Sequence, residues 1–164
     1  MSPQMTNDPI PDISIPELSF AEYVSTLTVV LQEKYDLVSN ETVLQNDVMK
    51  MRFCPATPRE PRVQLISSFH DDNLFRAYAK SRTFCLYDYL EYRQMDQKSV
   101  YPYEGSEFIR DYKKSPLQIL AISIFVLNHW DLLLRGDAGE IKAFGLNFHA
   151  RCVAYTERAS RKKD

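Results

Sequence analysis

The sequence predicts an α+β domain, predominantly helical, in which a C-terminal helical hairpin packs with an N-terminal helix and a small antiparallel sheet. Three observations carry that expectation. Apolar residues recur at helical spacing near both ends of the chain, short alternating runs lie between them, and helix-start and helix-stop signals bracket the most apolar stretch, Ser115 to Asp137. At 164 residues the chain suits one domain that buries roughly two thirds of its unfolded surface. Its 45% hydrophobic and 26% charged content is near the globular average and excludes wholesale disorder, collagen-like repeats and a disulfide scaffold.

The leader, residues 1–18, holds four of the nine prolines and lacks helical periodicity, so it is expected to be a flexible, extended arm. Ile10, Ile13 and Ile15 lie among those prolines, and an extended segment of this kind can dock in a groove on a partner or a second copy. Loose disorder without docking is the plainer reading. The globular domain is expected over 19–158, followed by a basic tail over 159–164.

Ser19-x-x-Glu22 is a capping box, and Phe20, Tyr23, Val24, Leu27, Val30 and Leu31 share one face, which predicts a helix over about 20–36. Asn46-Asp47 between short runs, with Val48 to Phe53 alternating, predicts a β-hairpin. Pro55, Pro58 and Pro61 then force an extended connection. "RVQLISSF" reads as a third strand, after which His70-Asp71-Asp72 caps a helix expected near Asn73. Leu74 to Arg93 fits helical spacing, as one broken helix or two short ones with the break at Ser81 to Thr83. An exposed loop follows, and Ser106 to Lys114 adds a short helix.

Ser115-Pro116 starts a long helix and Arg135-Gly136 stops it. Gln118, Asn128, His129 and Asp131 interrupt the stretch, which argues against a membrane span and for a core helix, with Leu120, Ile124 and Leu127 buried. Asp137-x-x-Glu140 caps the last helix, expected over about 138–158 from Ile141, Phe144, Phe148, Cys152 and Tyr155. The short Gly136-Asp137 link pairs the two helices as an antiparallel hairpin.

Chemistry is poorly signalled. His129 and Asp131, two apart on a helix, point about 200° apart and cannot act as an acid–base pair; His129 is better read as bonded to backbone or to a neighbouring carboxylate. His149 and Cys152 are the nearest approach to a metal-ligand pair, a weak signal against the usual requirement of two close pairs. No phosphate-cradling glycine pattern and no nucleophile motif occurs. The expectation is therefore a non-enzymatic chain with no catalytic residue, no cofactor and no metal.

Seven of the ten tyrosines fall within 35 residues, from Tyr78 to Tyr112. Tyrosines there either close the edge of the core or face a partner, and Tyr101 and Tyr103 in the exposed loop are the candidates for partner binding beside Ile10, Ile13 and Ile15. The alternative is a single-stranded nucleic-acid binder, possible RNA contacts being made by stacked tyrosines with Arg82, Arg93, Arg161, Lys162 and Lys163. Interspersed acidic residues weaken that field.

The net charge of −2 conceals a gradient: −6 over residues 1–46, balance over 47–109, and +4 over 110–164. Such polarity suits head-to-tail association, although terminal segments also simply collect solvated charge. Three widely spaced cysteines suit reduced thiols, and the leader has no secretory pattern, so a cytoplasmic or nuclear protein is expected. The functional expectation is a protein–protein interaction or assembly protein, self-associating into a homo-oligomer or bound to a protein partner. It is the kind of chain found among viral structural or accessory proteins and small adaptors.

Overall fold

Ser19 opens the first helix as its spacing predicts. Its hydroxyl accepts from the Glu22 N–H at 3.2 Å and donates to the Glu22 carboxylate at 3.1 Å. The structure is a computed structural model that describes residues 18–100 and 114–162. Residues 1–17 of the leader, including Ile10, Ile13 and Ile15, the loop residues Tyr101 and Tyr103, all but Lys114 of the helix expected over 106–114, and Lys163 lie outside the described residues.

The expected helix over 20–36 forms as α1 (Phe20–Leu27) and α2 (Val29–Tyr35), parted at Thr28. The cause is local. Buried Thr28 turns its hydroxyl back onto the Val24 carbonyl, and Gln32 Nε2 donates to both Ser25 O and Thr28 Oγ1 at 2.8 Å.

Five strands follow in sequence order as one antiparallel sheet: β1 (Val38–Asn40), β2 (Val43–Gln45), β3 (Met49–Cys54), β4 (Gln64–Phe69) and β5 (Thr83–Cys85). The predicted hairpin is β2–β3 and the predicted third strand is β4. Alternation sets the buried face: Leu44 pairs with Met51, Met51 with Ser67 and Ser67 with Phe84, all buried, while Lys50, Arg52, Ile66 and Thr83 face outward. The expected break between two short helices is present, but Thr83–Cys85 within it is strand, because it takes up the free edge of β4. On either side of it lie the short helices α3 (Arg76–Ala79) and α4 (Leu86–Tyr92). Asp71 caps the turn by accepting from Asn73 N–H at 2.9 Å, but regular helix begins only at Arg76.

The long apolar stretch forms α5 (Ser115–His129) and, past buried Trp130, α6 (Asp131–Leu134). Gly136 at φ +77° turns the chain, and Asp137 caps α7 (Ala138–Arg161) by accepting from Glu140 N–H at 2.8 Å. The two long helices face different partners: α5 lies on α1 and α2, whereas α7 lies on α3 and α4. Gly145 permits the second contact, since a Cβ there would stand 3.0 Å from Tyr78 Cβ and 3.3 Å from the Phe75 carbonyl oxygen. α7 runs on to Arg161 and so takes in the first residues of the expected basic tail.

Candidate interaction surfaces

Which side of α5 is buried reverses one expectation. Ile119, Ile122, Phe125 and Val126 face the core, and buried Gln118 acts as a strand substitute, donating to Pro61 O at 2.9 Å and accepting from Val63 N–H at 2.7 Å. Leu117, Leu120 and Ile124 are instead 43%, 39% and 50% exposed, and Leu127 is half-buried. The expected burial fails for Leu120 and Ile124, while Leu127 packs half-buried against the core, because the helix is apolar nearly all round and α1 could claim either side. No Lys, Arg, Asp or Glu occurs between Ser115 and His129, so the outer face has none of the charge that normally solvates a surface helix.

A second apolar row lies on α7. Ile141, Gly145, Phe148, Cys152, Tyr155 and Ala159 recur at alternating spacings of four and three, a heptad stripe. Its first half is covered: Ile141 and Gly145 are buried, as is the adjacent Phe144, whose ring lies 5.3 Å from Tyr89 and 5.2 Å from Phe75. Arg151 makes the last tie to the body, donating from Nη2 to Asp88 O at 2.8 Å and pairing with Glu91 at 3.0 Å. Past Arg151 almost every described residue of α7 is exposed, including Val153 and Tyr155. An open groove of about 630 Å³ runs along this part, lined from Phe148 to Ser160 on one side and by Ala79, Lys80 and Ser81 on the other.

Several residues of catalytic or ligand-like type are engaged structurally. His129 leans its ring on Phe125 at 4.7 Å, which corrects the expected polar partner, and Asp131 accepts from Tyr35 Oη and from Arg135 Nε, each at 2.9 Å. The Arg135 bond, then the Tyr35 bond, hold the Asp131 carboxyl below its ordinary range. Burial pushes the Cys85 thiol up, the Asp88 charge adding to it, which disfavours the reactive thiolate. His149 and Cys152 line the α7 groove one turn apart, and among the described residues no three His, Cys, Asp or Glu side chains gather into a metal-binding group. His70 donates to Asn46 O at 2.9 Å, and Asp72 pairs with Arg76 at 3.1 Å.

Among the described residues, the cluster's tyrosines Tyr78, Tyr87, Tyr89 and Tyr92 sit in or at the edge of the core. Tyr89 is buried and donates to His129 O at 3.1 Å; burial, followed by the Glu140 charge, pushes its hydroxyl up to about 12. Tyr92 packs tilted against Phe144 at 5.4 Å, Tyr87 accepts from Arg62 at 3.1 Å, and Lys142 sits 5.2 Å over the Tyr78 ring. The basic candidates fall in two places, Arg93 lying apart from Arg161 and Lys162. Arg93 pairs with Glu140 in the first turn of α7, at 3.9 Å, whereas Arg161 is 21 residues farther along that helix, about 30 Å away. Arg82 leads into β5, and Lys162 lies exposed beyond α7.

Sequence reasoning missed both apolar surfaces. The heptad spacing on α7 was visible, but where its cover ends depends on α3 and α4. Among the described residues no helix is long and apolar enough to cross a membrane. No family model, no curated protein and no solved structure matches the chain.

Proposed function

We propose that the protein is a non-enzymatic assembly module that associates with copies of itself. The observation that supports this most directly is the outer face of α5, where Leu117, Leu120 and Ile124 stand exposed at i, i+3 and i+7 on a helix without a single charged residue. An exposed apolar row of this kind marks an interaction surface. An uncharged row is also compatible with its own copy across a two-fold axis, where any charge would meet its like. Single-stranded nucleic-acid binding ranks below this reading, because Tyr89 is buried, Tyr92 is packed on the core, and Arg93 is neutralised by Glu140.

Sedimentation of the full chain over a range of concentrations tests the proposal. Association that is abolished by Ile124→Asp, with unchanged far-ultraviolet circular dichroism, is the expected outcome. A full chain that stays monomeric at every concentration, or an assembly indifferent to Ile124→Asp, would sink it.

A further inference from the structure

The groove on the outer half of α7 has features that select its occupant. Its walls carry Phe148, Cys152 and Val153 together with the methyl of Thr156, so an apolar ligand is called for. The charge around it is positive: from residue 152 to 162, Arg158, Arg161 and Lys162 stand against Glu157 alone, and Lys80 lies on the facing wall. A second α7 laid parallel to the first would bring these cations together, which disfavours that pairing of the heptad stripe. What fits is an extended, acidic segment with spaced aliphatic side chains.

The chain contains one. Residues 1–18 carry Asp8, Asp12 and Glu17, no Lys or Arg, and the isoleucines Ile10, Ile13 and Ile15 between prolines. Proline at 9, 11 and 16 favours the polyproline II conformation, whose three-residue turn places Ile10 and Ile13 on one edge. Ile10 to Ile15 span about 16 Å in that form, and the groove wall from Phe148 to Ser160 is about 18 Å long.

We propose that the acidic, isoleucine-bearing leader of one copy binds in the α7 groove of another. The contact joins two different surfaces of the chain and is therefore heterologous, able to run on from copy to copy. The inference rests on the reading that the chain self-associates.

The test mixes isotopically heavy and light full-length chains and couples carboxylates directly to amines without a spacer. Expected are mixed heavy–light peptides that join Asp8, Asp12 or Glu17 to Lys80 or Lys162, reduced severalfold by Val153→Asp, which sets a carboxylate at an exposed groove position. Leader peptides coupled only within one chain, or to lysines elsewhere, overturn the proposal, as does a mixed yield unaffected by both Val153→Asp and Lys80→Glu. Sedimentation of the same samples separates the two claims. Association by mass without these couplings refutes the leader contact alone; a monomer at every concentration refutes the assembly reading beneath it.

Discussion

Asn46 offers the sharpest check on how the helical and sheet layers are joined. Its side chain makes four hydrogen bonds: Nδ2 donates to Tyr35 O at 3.0 Å and Leu134 O at 3.2 Å, while Oδ1 accepts from Val48 N–H at 2.9 Å and Met49 N–H at 3.0 Å. One half-buried residue thus ties the end of α2, the end of α6 and the β2–β3 turn together. Each such bond is worth about 0.5–1.5 kcal/mol net, and three of the four partners belong to buried residues, so their freed groups are poorly reached by water. Asn46 itself is half-buried, which favours the lower half of the sum, so Asn46→Ala should cost about 2–4 kcal/mol. The turn itself should survive, because Asn46 N–H still donates to Met49 O at 3.1 Å and His70 still donates to Asn46 O. Asn46→Asp keeps both acceptor bonds and turns a carboxylate toward two carbonyl oxygens, so it should be destabilised at neutral pH as well. Urea unfolding followed by circular dichroism measures both. A cost below about 1 kcal/mol for Asn46→Ala would refute the view that this side chain holds the layers together.

Two further measurements bear on burial. Ile122→Ala, at a fully buried position, should cost about 2–5 kcal/mol, whereas Ile124→Ala, half exposed on the same helix, should cost about 1 kcal/mol or less in dilute solution; equal costs would show that the buried face of α5 is misassigned. Tyr89 is the second case. Its folded value, pushed to about 12, lies above the ordinary 10, so the stabilisation from its neutral hydroxyl is complete below pH 10 and is lost as pH rises toward 12. Tyr35 is raised to about 12 in the same way, burial first and the Asp131 bond second. Tyr89→Phe should cost about 1–2 kcal/mol at neutral pH and shrink the alkaline loss of stability. An unchanged alkaline transition in Tyr89→Phe would count against its buried, hydrogen-bonded state.

The elements legible in the sequence are those decided within about four residues. Ser19 with Glu22, Asn46 before Val48 and Met49, and Asp137 with Glu140 each satisfy backbone donors locally, and each appears in the structure as its spacing predicts. The elements that were not legible depend on distant partners. Thr83–Cys85 sits between two helical pieces and becomes strand only because Ile66–Ser68 present an open edge. Val38–Asn40 is strand for the same reason, against Val43–Gln45. Thr28 breaks the first helix through side-chain bonds to Val24 and Gln32 that no hydrophobic periodicity reveals.

The error on α5 has a different origin, and it bears on function. A helix whose apolar residues are spread round its circumference does not encode which face is inward; that choice falls to the partner, here α1, and the side not chosen stays apolar. The property that misdirects the reading of Leu120 and Ile124 is thus the same property that leaves them exposed. α7 shows the converse arrangement. Its stripe is regular enough to predict the helix nearly to its end, yet α3 and α4 cover only the first half, and past Arg151 the helix carries Cys152, Val153 and Tyr155 uncovered. Folding of the chain alone explains the inner face of α5 and the first turns of α7. It does not require the large apolar side chains left on the remaining faces, Leu117, Leu120 and Ile124 on α5 and Val153 and Tyr155 on α7.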